Sequence, residues 1–264
     1  HEVQGLTRPV ALKVFSAEGH AAYTKELEIL KRIEELRRQG RHPEILQALD
    51  SGEHNGQGWI ALEYLEEGSL KDVVDRRGPL PWAEALDAIQ QATAAVAVLH
   101  TAGLFHRDVK PANLLMGADG RVRLGDFGLS RDLDGTLSTA GSPAFAAPEV
   151  IAGQVAADQR ARVDVYGLGA TLVFLLTGAP ARPGRPDVFA LERSGAPRPV
   201  CDLLLEAMAY EPDERPADAQ ALATLLKGVT KKVRTHSTGR EGAVEEDNPM
   251  KQAVKTQRAP APDP

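Results

Sequence analysis

The sequence has 264 residues, 42% hydrophobic and 26% charged, which is enough apolar material for a core and enough charge for a solvated surface. Its formal net charge of -6 argues against nucleic acid as the main partner, because phosphate backbones are bound by basic surfaces. The single cysteine, Cys201, excludes an intrachain disulfide, and the longest apolar stretch, 163–178, is too short to cross a bilayer. We therefore expect a cytoplasmic protein, or the cytoplasmic part of a longer one, with no membrane segment.

The first quarter of the sequence has the pattern of a small sheet with one helix. A turn at Gly5 precedes a strand over 9–15. Strand alternation places Ala11 and Lys13 on one face of it. A helix is predicted over 21–38, and two short strands over 45–49 and 59–62 with a turn-rich segment, 50–58, between them.

The remaining sequence is mostly helical in pattern. Helices are predicted over 82–101 and near 149–153, 163–177, 199–209 and 216–227, and a hairpin joins 114–116 to 121–124. A β-rich segment, 1–64, joined to an α-rich segment, 65–228, predicts an α+β protein with two lobes. Beyond Gly228 the sequence is polar and finally Pro-rich, so we expect residues 229–264 to form a disordered tail.

Residues 106–115, HRDVKPANLL, form a polar loop between an apolar helix and a short strand. Asp108 and Asn113 lie five residues apart in this loop. A lone Asp or Asn in a loop is usually only a turn former, but the whole string supplies a carboxylate, a cation and an amide oxygen together. Phosphoryl transfer depends mainly on positioning and charge neutralisation, so this combination indicates that chemistry.

The string His106-Arg107-Asp108, followed by Lys110 and Asn113, resembles the catalytic loop of eukaryotic-type (Hanks-type) serine/threonine protein kinases. The composition is similar to that of bacterial members. The resemblance implies a bilobal fold with a β-rich N-lobe and a helical C-lobe. It also implies that Asp108 accepts the proton of the attacking hydroxyl, that Lys110 neutralises the γ-phosphate of ATP, and that Asn113 binds Mg²⁺.

The motif Asp126-Phe127-Gly128 lies thirteen residues after Asn113, at the end of an apolar strand. Taken alone it could be a simple turn after the strand. Its spacing resembles the metal-binding motif of the same family, which makes Asp126 the principal Mg²⁺ ligand, since hard cations prefer carboxylate oxygens.

Lys13 resembles the phosphate-anchoring lysine of this family, whereas a strand lysine usually points to solvent. Its expected partner is a helix glutamate. Glu26 follows the same helical stripe as Ile29, Leu30 and Ile33, so it lies on the apolar face of the helix. This register predicts an ion pair between Lys13 and Glu26.

The resemblance also assigns residues to the adenine pocket. Ala11 is small enough to let an adenine ring approach. Leu62 occupies the gatekeeper position, Glu63 and Leu65 supply backbone hydrogen bonds, and Leu115 forms the floor of the pocket.

The segment from Gly128 to Glu149 resembles an activation and substrate-docking segment. Ser142 stands where the family commonly has Thr. Three hydroxyl residues are candidate phosphorylation sites: Thr136, Ser138 and Thr139. A phosphate there could pair with Arg107 and order the loop. The implied partners are protein substrates with Ser or Thr, and another copy of the chain for trans-autophosphorylation.

Three further residues resemble conserved scaffold charges of a kinase C-lobe. Asp164 matches the start of the central helix that supports the catalytic loop. Arg215 matches the partner of the glutamate at Glu149. Both are expected to be buried and paired, because an unpaired buried charge is costly.

Two elements of the family are missing before Lys13, the glycine-rich loop and the first strand of the N-lobe sheet. Kinases have a G-x-G-x-x-G loop over the ATP phosphates, but only Gly5 precedes Lys13 here. We expect truncation rather than evolved loss, and weak ATP binding by this fragment. The main hypothesis is an active serine/threonine kinase that uses ATP and Mg²⁺. The alternatives are a catalytically impaired kinase-shaped binding module and a small-molecule phosphotransferase.

Overall fold

The structure, a computed structural model, describes residues 2–3, 6–7, 9–40, 42, 44–128, 143–182 and 186–241, with side chains described from residue 9 to residue 233 except Ala17. The first part contains β1 (Glu2–Val3), β2 (Leu6–Thr7), β3 (Val10–Val14), α1 (His20–Gly40), β4 (Ala48–His54) and β5 (Gln57–Glu63). The second part contains α2 (Leu70–Arg77), α3 (Trp82–Thr101), β6 (Leu114–Met116), β7 (Val122–Leu124), α4 (Pro148–Ile151), α5 (Arg160–Thr177), α6 (Val188–Arg193), α7 (Arg198–Ala207) and α8 (Ala219–Glu241). The β-rich segment followed by a helical segment confirms the predicted bilobal α+β fold.

The N-lobe sheet has the strand order β3-β5-β4, and every pair is antiparallel. Ala11 lies opposite Leu62 and Lys13 lies opposite Ile60, so these four side chains share one face. Ile60 is fully buried on that face. On the other face of β3, Leu12 is largely exposed.

The prediction of a turn over residues 50–58 is wrong. Most of these residues belong to strands β4 and β5, and only Asn55 and Gly56 form the turn, with φ of 49° and 74°. Turn-forming residue types at 50–52 suggested a loop, but pairing with β5 overrides that local preference. Ile45, predicted to begin a strand, instead bridges Leu124 in the C-lobe hairpin and is fully buried.

Helix α1 buries one face, as its period predicts. The buried residues on this face are Tyr23, Glu26, Ile29, Leu30 and Ile33. Four of these are apolar or aromatic and pack into the core. Glu26 is the only charged residue among them, so it requires a cationic partner.

The C-lobe is built around α5, which is buried on all sides from Val163 to Leu176. A helix that is apolar all round requires neighbours on every side, and α3, α7 and α8 pack against it. Gly167 permits a close approach to the catalytic loop, because a Cβ there would lie 2.8 Å from the carbonyl oxygen of Val109. The helix therefore supports that loop directly.

Two short helices, α2 and α6, were not predicted. At α2, Ser69 and Asp72 form a capping box, with the Asp72 N–H donating to Ser69 Oγ at 3.2 Å and the Ser69 N–H donating to Asp72 Oδ2 at 2.9 Å. At α6, Asp187 caps the helix by accepting the N–H of Ala190.

The predicted start of the polar tail at residue 229 is wrong, because α8 continues through Gly228 to Glu241. Val229 is only 8% exposed, and Val233 packs against the core. The spacing of Leu226, Val229 and Val233 continues one helical face. Residues 242–264 lie outside the described residues.

Within the described ranges, no helix combines the length and apolar content that a bilayer crossing requires.

Candidate active site

The three predicted residues of the catalytic loop are joined by short hydrogen bonds. Lys110 Nζ lies 2.7 Å from Asp108 Oδ2, and Asn113 Nδ2 donates to the same oxygen at 3.0 Å and to the Asp108 carbonyl at 2.8 Å. Pro111 opens a single 3-10 turn that ends at Asn113, and its fixed φ suits this first position. The loop thus brings a carboxylate, an ammonium and an amide into one cluster.

Asp164, in the first turns of α5, anchors the catalytic loop. Its Oδ2 accepts the backbone N–H of His106 at 2.8 Å, and its Oδ1 accepts that of Arg107 at 2.6 Å. Arg107 has a φ of 64°, a left-handed conformation that non-glycine residues rarely adopt. The two hydrogen bonds therefore stabilise a strained turn immediately before Asp108.

The Asp164 carboxylate is fully buried and stays charged. Burial disfavours the charge, but hydrogen bonds from His100 and from the Arg107 N–H outweigh burial and hold the pKa of Asp164 below its usual range.

His106 connects the catalytic loop to the segment that carries Asp126. Its ring is fully buried, its Nε2 lies 3.0 Å from the carbonyl oxygen of Gly125, and it packs edge-on against Phe127 with ring centroids 5.5 Å apart. A carbonyl oxygen only accepts, so Nε2 carries the hydrogen. Asp126, between Gly125 and Phe127, has a φ of 58°. A second strained residue therefore lies at this site.

Lys13 Nζ contacts three carboxylate oxygens. It lies 2.7 Å from Glu26 Oε1, 2.8 Å from Glu26 Oε2 and 2.8 Å from Asp126 Oδ1. The contact with Glu26 is the one that the helix register predicts. The contact with Asp126 was not predicted, and it joins the N-lobe to the segment after β7. Gly128 borders this cluster, since a Cβ there would lie 3.1 Å from Glu26 Oε2.

Burial and charge act in opposite directions within this cluster. For Lys13 and Asp126, burial disfavours the charged forms, but their mutual hydrogen bond and the attraction between their charges outweigh it. The pKa of Lys13 is therefore raised and the pKa of Asp126 is lowered. For Glu26, burial is the stronger influence, and its pKa is raised despite the contact with Lys13. Lys13 is therefore charged, whereas burial disfavours the charged form of Glu26.

The residues assigned to the adenine pocket lie at the junction of the sheet and the C-lobe. Ala11 faces Leu62 across the β3–β5 pair. The Glu63 N–H donates to the Gln47 carbonyl at 3.0 Å. Leu65 follows in the linker, partly buried. In the C-lobe hairpin, Leu115 is also partly buried and lies beside Gly125.

Glu149 and Arg215 form a buried bidentate pair, as predicted. Arg215 Nη1 lies 2.7 Å from Glu149 Oε1, and Nη2 lies 2.9 Å from Oε2. The guanidinium also donates to the carbonyls of Ala209 and Tyr210 and stacks on the Tyr166 ring, with its central carbon 4.9 Å from the ring centroid. This pair ties α4, which follows the docking segment, to the turn before α8.

Comparison with protein families agrees with this geometry. The sequence profile described as "Protein kinase domain" matches residues 4–234. The chain belongs to the protein kinase domain family.

Curated relatives of this kinase domain include several bacterial serine/threonine-protein kinases. PknK of Mycobacterium tuberculosis is 36% identical over 253 residues, covering 86% of this chain and 22% of PknK. PrkC of Bacillus subtilis is 29% identical over 273 residues, covering 94% of this chain and 40% of PrkC. The chain therefore spans less than half the length of these relatives, and it is a kinase domain of the bacterial serine/threonine type.

A solved structure, Rad53 1-466 in complex with AMP-PNP, superposes with a TM-score of 0.66 at 24% identity, covering 82% of this chain and 58% of that one. At this identity the likeness supports the fold alone.

Asn113 and Asp126 are the residues of the predicted metal site that could hold a cation. Asn113 uses its Nδ2 toward Asp108, which leaves Oδ1 for a metal, and Asp126 uses Oδ1 toward Lys13, which leaves Oδ2. In the part of the chain that the structure describes, no three His, Cys, Asp or Glu residues cluster as a metal site. An amide and a carboxylate supplemented by phosphate oxygens suit Mg²⁺, which is commonly bound by few protein ligands together with a nucleotide.

The activation segment of the kinase domain is only partly described. Thr136, Ser138, Thr139 and Ser142 lie outside the described residues. Phe145, at its end, packs edge-on against Phe174 of α5 with ring centroids 5.8 Å apart. The end of the docking segment thus rests on the same helix that anchors the catalytic loop.

Sequence reasoning missed one residue of this network, His100. Its Nε2 lies 3.0 Å from Asp164 Oδ2. It lies at the end of the apolar helix α3, and nothing in its local pattern distinguishes it from a surface histidine.

Proposed function

We propose that this kinase domain transfers the γ-phosphate of ATP to Ser or Thr hydroxyls of protein substrates. The observation that carries the proposal is the cluster of Asp108, Lys110 and Asn113, held in hydrogen-bond contact on a loop that Asp164 anchors. Preorganised charge of this kind is what phosphoryl transfer requires.

Asp108 is proposed as the group that orients the attacking hydroxyl and accepts its proton. Lys110 and Asn113 hold its Oδ2 at 2.7 and 3.0 Å, which leaves Oδ1 to accept the hydrogen. Lys110 also supplies the positive charge that neutralises the γ-phosphate in the transition state. Both functions come from one rigid loop, so the nucleophile and the phosphate meet in a fixed geometry.

Lys13 and Asp126 are proposed to bind the nucleotide together. Lys13 contacts the phosphates while Glu26 holds it in place, and Asp126 and Asn113 bind Mg²⁺, which neutralises phosphate charge when bound. Because Lys13 and Asp126 are paired with each other in this structure at 2.8 Å, ATP and its cation substitute for that contact.

The adenine ring is proposed to lie against Ala11 and Leu62, over Leu115. The Glu63 carbonyl accepts a hydrogen bond from the ring, and the Leu65 N–H donates one to it. Within the given sequence only Gly5 precedes Lys13, so these residues do not contain the G-x-G-x-x-G spacing of a loop over the phosphates. We propose that the given residues by themselves bind ATP weakly for that reason.

Protein substrates are proposed because the end of the docking segment is held by buried contacts of the C-lobe. Glu149 is fixed by the buried pair with Arg215, and Phe145 packs on α5. This arrangement favours a protein substrate over a small-molecule acceptor. A second copy of the chain is proposed as one such substrate, with phosphate on Thr136, Ser138 or Thr139 pairing with Arg107. A kinase-shaped binding module is disfavoured, since the catalytic residues are all present and in contact.

The test is labelling of a generic protein substrate with Mg-ATP, using a chain extended by a glycine-rich loop. We expect Asp108→Ala to lower kcat by about 10²- to 10⁴-fold, the usual contribution of a general base. Asp126→Ala is expected to abolish Mg-dependent labelling. Asp75→Ala is the matched control, because Asp75 is exposed on α2 and forms an ion pair with the exposed Lys71. Labelling that neither active-site substitution changed would overturn the proposal.

A further inference from the structure

His100 is a buried titratable residue that the proposed mechanism does not use. It lies in the last turn of α3, and its side chain is only 7% exposed. It lies between Asp164 of α5 and Ala219, the first residue of α8. The imidazole therefore touches two helices besides its own.

The ring makes one polar contact on each side. Nε2 lies 3.0 Å from Asp164 Oδ2, and Nδ1 accepts the backbone N–H of Ala219 at 3.2 Å. A neutral imidazole has one donor and one acceptor. Only the tautomer with its hydrogen on Nε2 satisfies both contacts, since a carboxylate only accepts and a backbone N–H only donates. The environment thus fixes both the tautomer and the orientation of the ring.

The two sites that the ring contacts, the Asp164 carboxylate and the first turn of α8, also take part in other hydrogen bonds. On one side, the same Asp164 oxygen accepts the N–H of His106, and the other oxygen holds Arg107 in its left-handed conformation. On the other side, Asp218 caps α8 by accepting the N–H of Ala221 at 2.8 Å. The first N–H of α8 is instead accepted by the imidazole.

We propose that His100 is a positioning residue that couples the position of the first turn of α8 to the geometry of the catalytic loop. The contacts run from Ala219 through His100 to Asp164, and from there to the Arg107 backbone, one residue before Asp108. A displacement at the start of α8 moves the imidazole, and the imidazole holds the carboxylate that shapes the loop. The proposal rests on the proposed catalytic role of Asp108.

This coupling predicts a particular kinetic signature. The catalytic loop determines the transfer step, whereas the proposed ATP contacts at Lys13 and the linker lie elsewhere. Loss of the His100 link to Asp164 therefore lowers kcat and leaves the KM for ATP unchanged.

Two substitutions of His100 each keep one of its two hydrogen bonds and remove the other. In His100→Gln the side-chain amide nitrogen lies near the former Nε2 and can still donate to Asp164, while the acceptor for Ala219 is lost. In His100→Asn the amide oxygen lies near the former Nδ1 and can still accept from Ala219, but the side chain is too short to reach Asp164. We expect His100→Asn to lower kcat by about 10- to 100-fold, as small misplacements of catalytic groups do, and His100→Gln to keep most of it.

The coupling itself is tested by loosening the first turn of α8 with Asp218→Ala. This substitution is expected to lower kcat severalfold in the unmodified chain and to have no further effect in the His100→Gln chain, where the link is already broken. Gln90→Leu is the matched control. Gln90 also joins α3 to α8, through Thr230 Oγ1 at 2.8 Å, but has no contact with Asp164, so its loss is expected to lower Tm without changing kcat.

Amide hydrogen exchange at His106 and Arg107 gives a second readout that does not depend on activity. Exchange at these two amides is expected to be faster in His100→Asn and Asp218→Ala than in Gln90→Leu. Equal kcat values for the Asn and Gln variants, or an Asp218→Ala effect that is the same in both backgrounds, would overturn the proposal. If His100→Asn does not fold, unchanged exchange in Asp218→Ala overturns it. If the chain extended by a glycine-rich loop shows no labelling, the proposed function fails, and amide exchange still tests whether α8 and the catalytic loop are coupled.

Discussion

Two charge clusters of the kinase domain differ in how far they are closed off from water. In the C-lobe, the side chains of Arg215 and Asp164 are 0% exposed. In the cleft, Lys13 is 34% exposed and Asp126 is 49% exposed. The first cluster is closed to solvent, and its Asp164 holds the turn of the catalytic loop through the backbone N–H groups of His106 and Arg107. The second cluster is open to solvent, so phosphate and a metal ion can replace the contact between Lys13 and Asp126. One region supplies rigidity, and the other supplies replaceable contacts.

The largest expected effect follows from breaking the closed cluster. Arg215→Met leaves Glu149 buried without a cationic partner, and we expect it to lower the free energy of unfolding by about 3–5 kcal/mol. Arg198→Met is the control, because Arg198 pairs with Asp202 at 2.8 Å on an exposed helix face. That pair is expected to contribute less than about 1 kcal/mol. Urea unfolding measures both, and equal losses would show that burial does not separate the two classes of ion pair.

The open cluster is expected to affect activity more than stability. Glu26→Gln keeps the shape of the side chain but removes the charge that holds Lys13. We expect kcat/KM for ATP to fall about tenfold, or ~1.4 kcal/mol of transition-state stabilisation, which is similar to one hydrogen bond to a charged group. Glu28→Gln is the control, on the same helix and exposed to solvent.

A loss of stability in Glu26→Gln as large as that of Arg215→Met, with kcat/KM unchanged, would contradict the division between the two clusters.

The sequence predicts these clusters unequally, for a physical reason. The contact of Lys13 with Glu26 was predicted from two sources. The family resemblance implies a lysine paired with a helix glutamate, and the helix period, a local rule, selects Glu26. The catalytic loop follows from a contiguous string. By contrast, His100 contacts Asp164 across 64 residues of sequence. Such a contact depends on how helices pack, and no local pattern encodes it.

The errors in the predicted elements have a related cause. The helix α2 has few apolar residues, so its period was weak, although the Ser69 and Asp72 capping box was a readable signal. The strands around Asn55 contain turn formers, and pairing with β5 decides their conformation. In α8, Val229 and Val233 extend the apolar face of a segment whose composition is polar. In each case a few tertiary contacts outweigh average composition.

Each of the two clusters contains one buried carboxylate, and the pKa values of these two groups are shifted in opposite directions. Hydrogen bonds overcome burial at Asp164 and hold its pKa below the usual 3.8, so its stabilising contribution is present above pH 3.8 and is lost as the pH falls further. At Glu26, burial outweighs the contact with Lys13 and raises the pKa above the usual 4.5. Its ionised form therefore weakens folding at neutral pH, and protonation relieves that cost as the pH falls through the raised pKa.

We accordingly expect Asp164→Asn and Glu26→Gln to change the pH dependence of stability with opposite signs. The free energy of unfolding is measured in urea between about pH 7 and pH 3 for both variants and the unmodified chain. The deficit of Asp164→Asn should shrink below about pH 3.8, because the unmodified chain then loses the contribution of its charged Asp164. Relative to Glu26→Gln, the unmodified chain should instead gain stability as the pH falls toward about 4.5, because its Glu26 becomes neutral. The result that would contradict this expectation is that the stability differences of the two variants from the unmodified chain change in the same direction as the pH falls. The charged forms of Glu26 and Asp164 would then both be stabilised by folding, and the two clusters would differ only in solvent exposure.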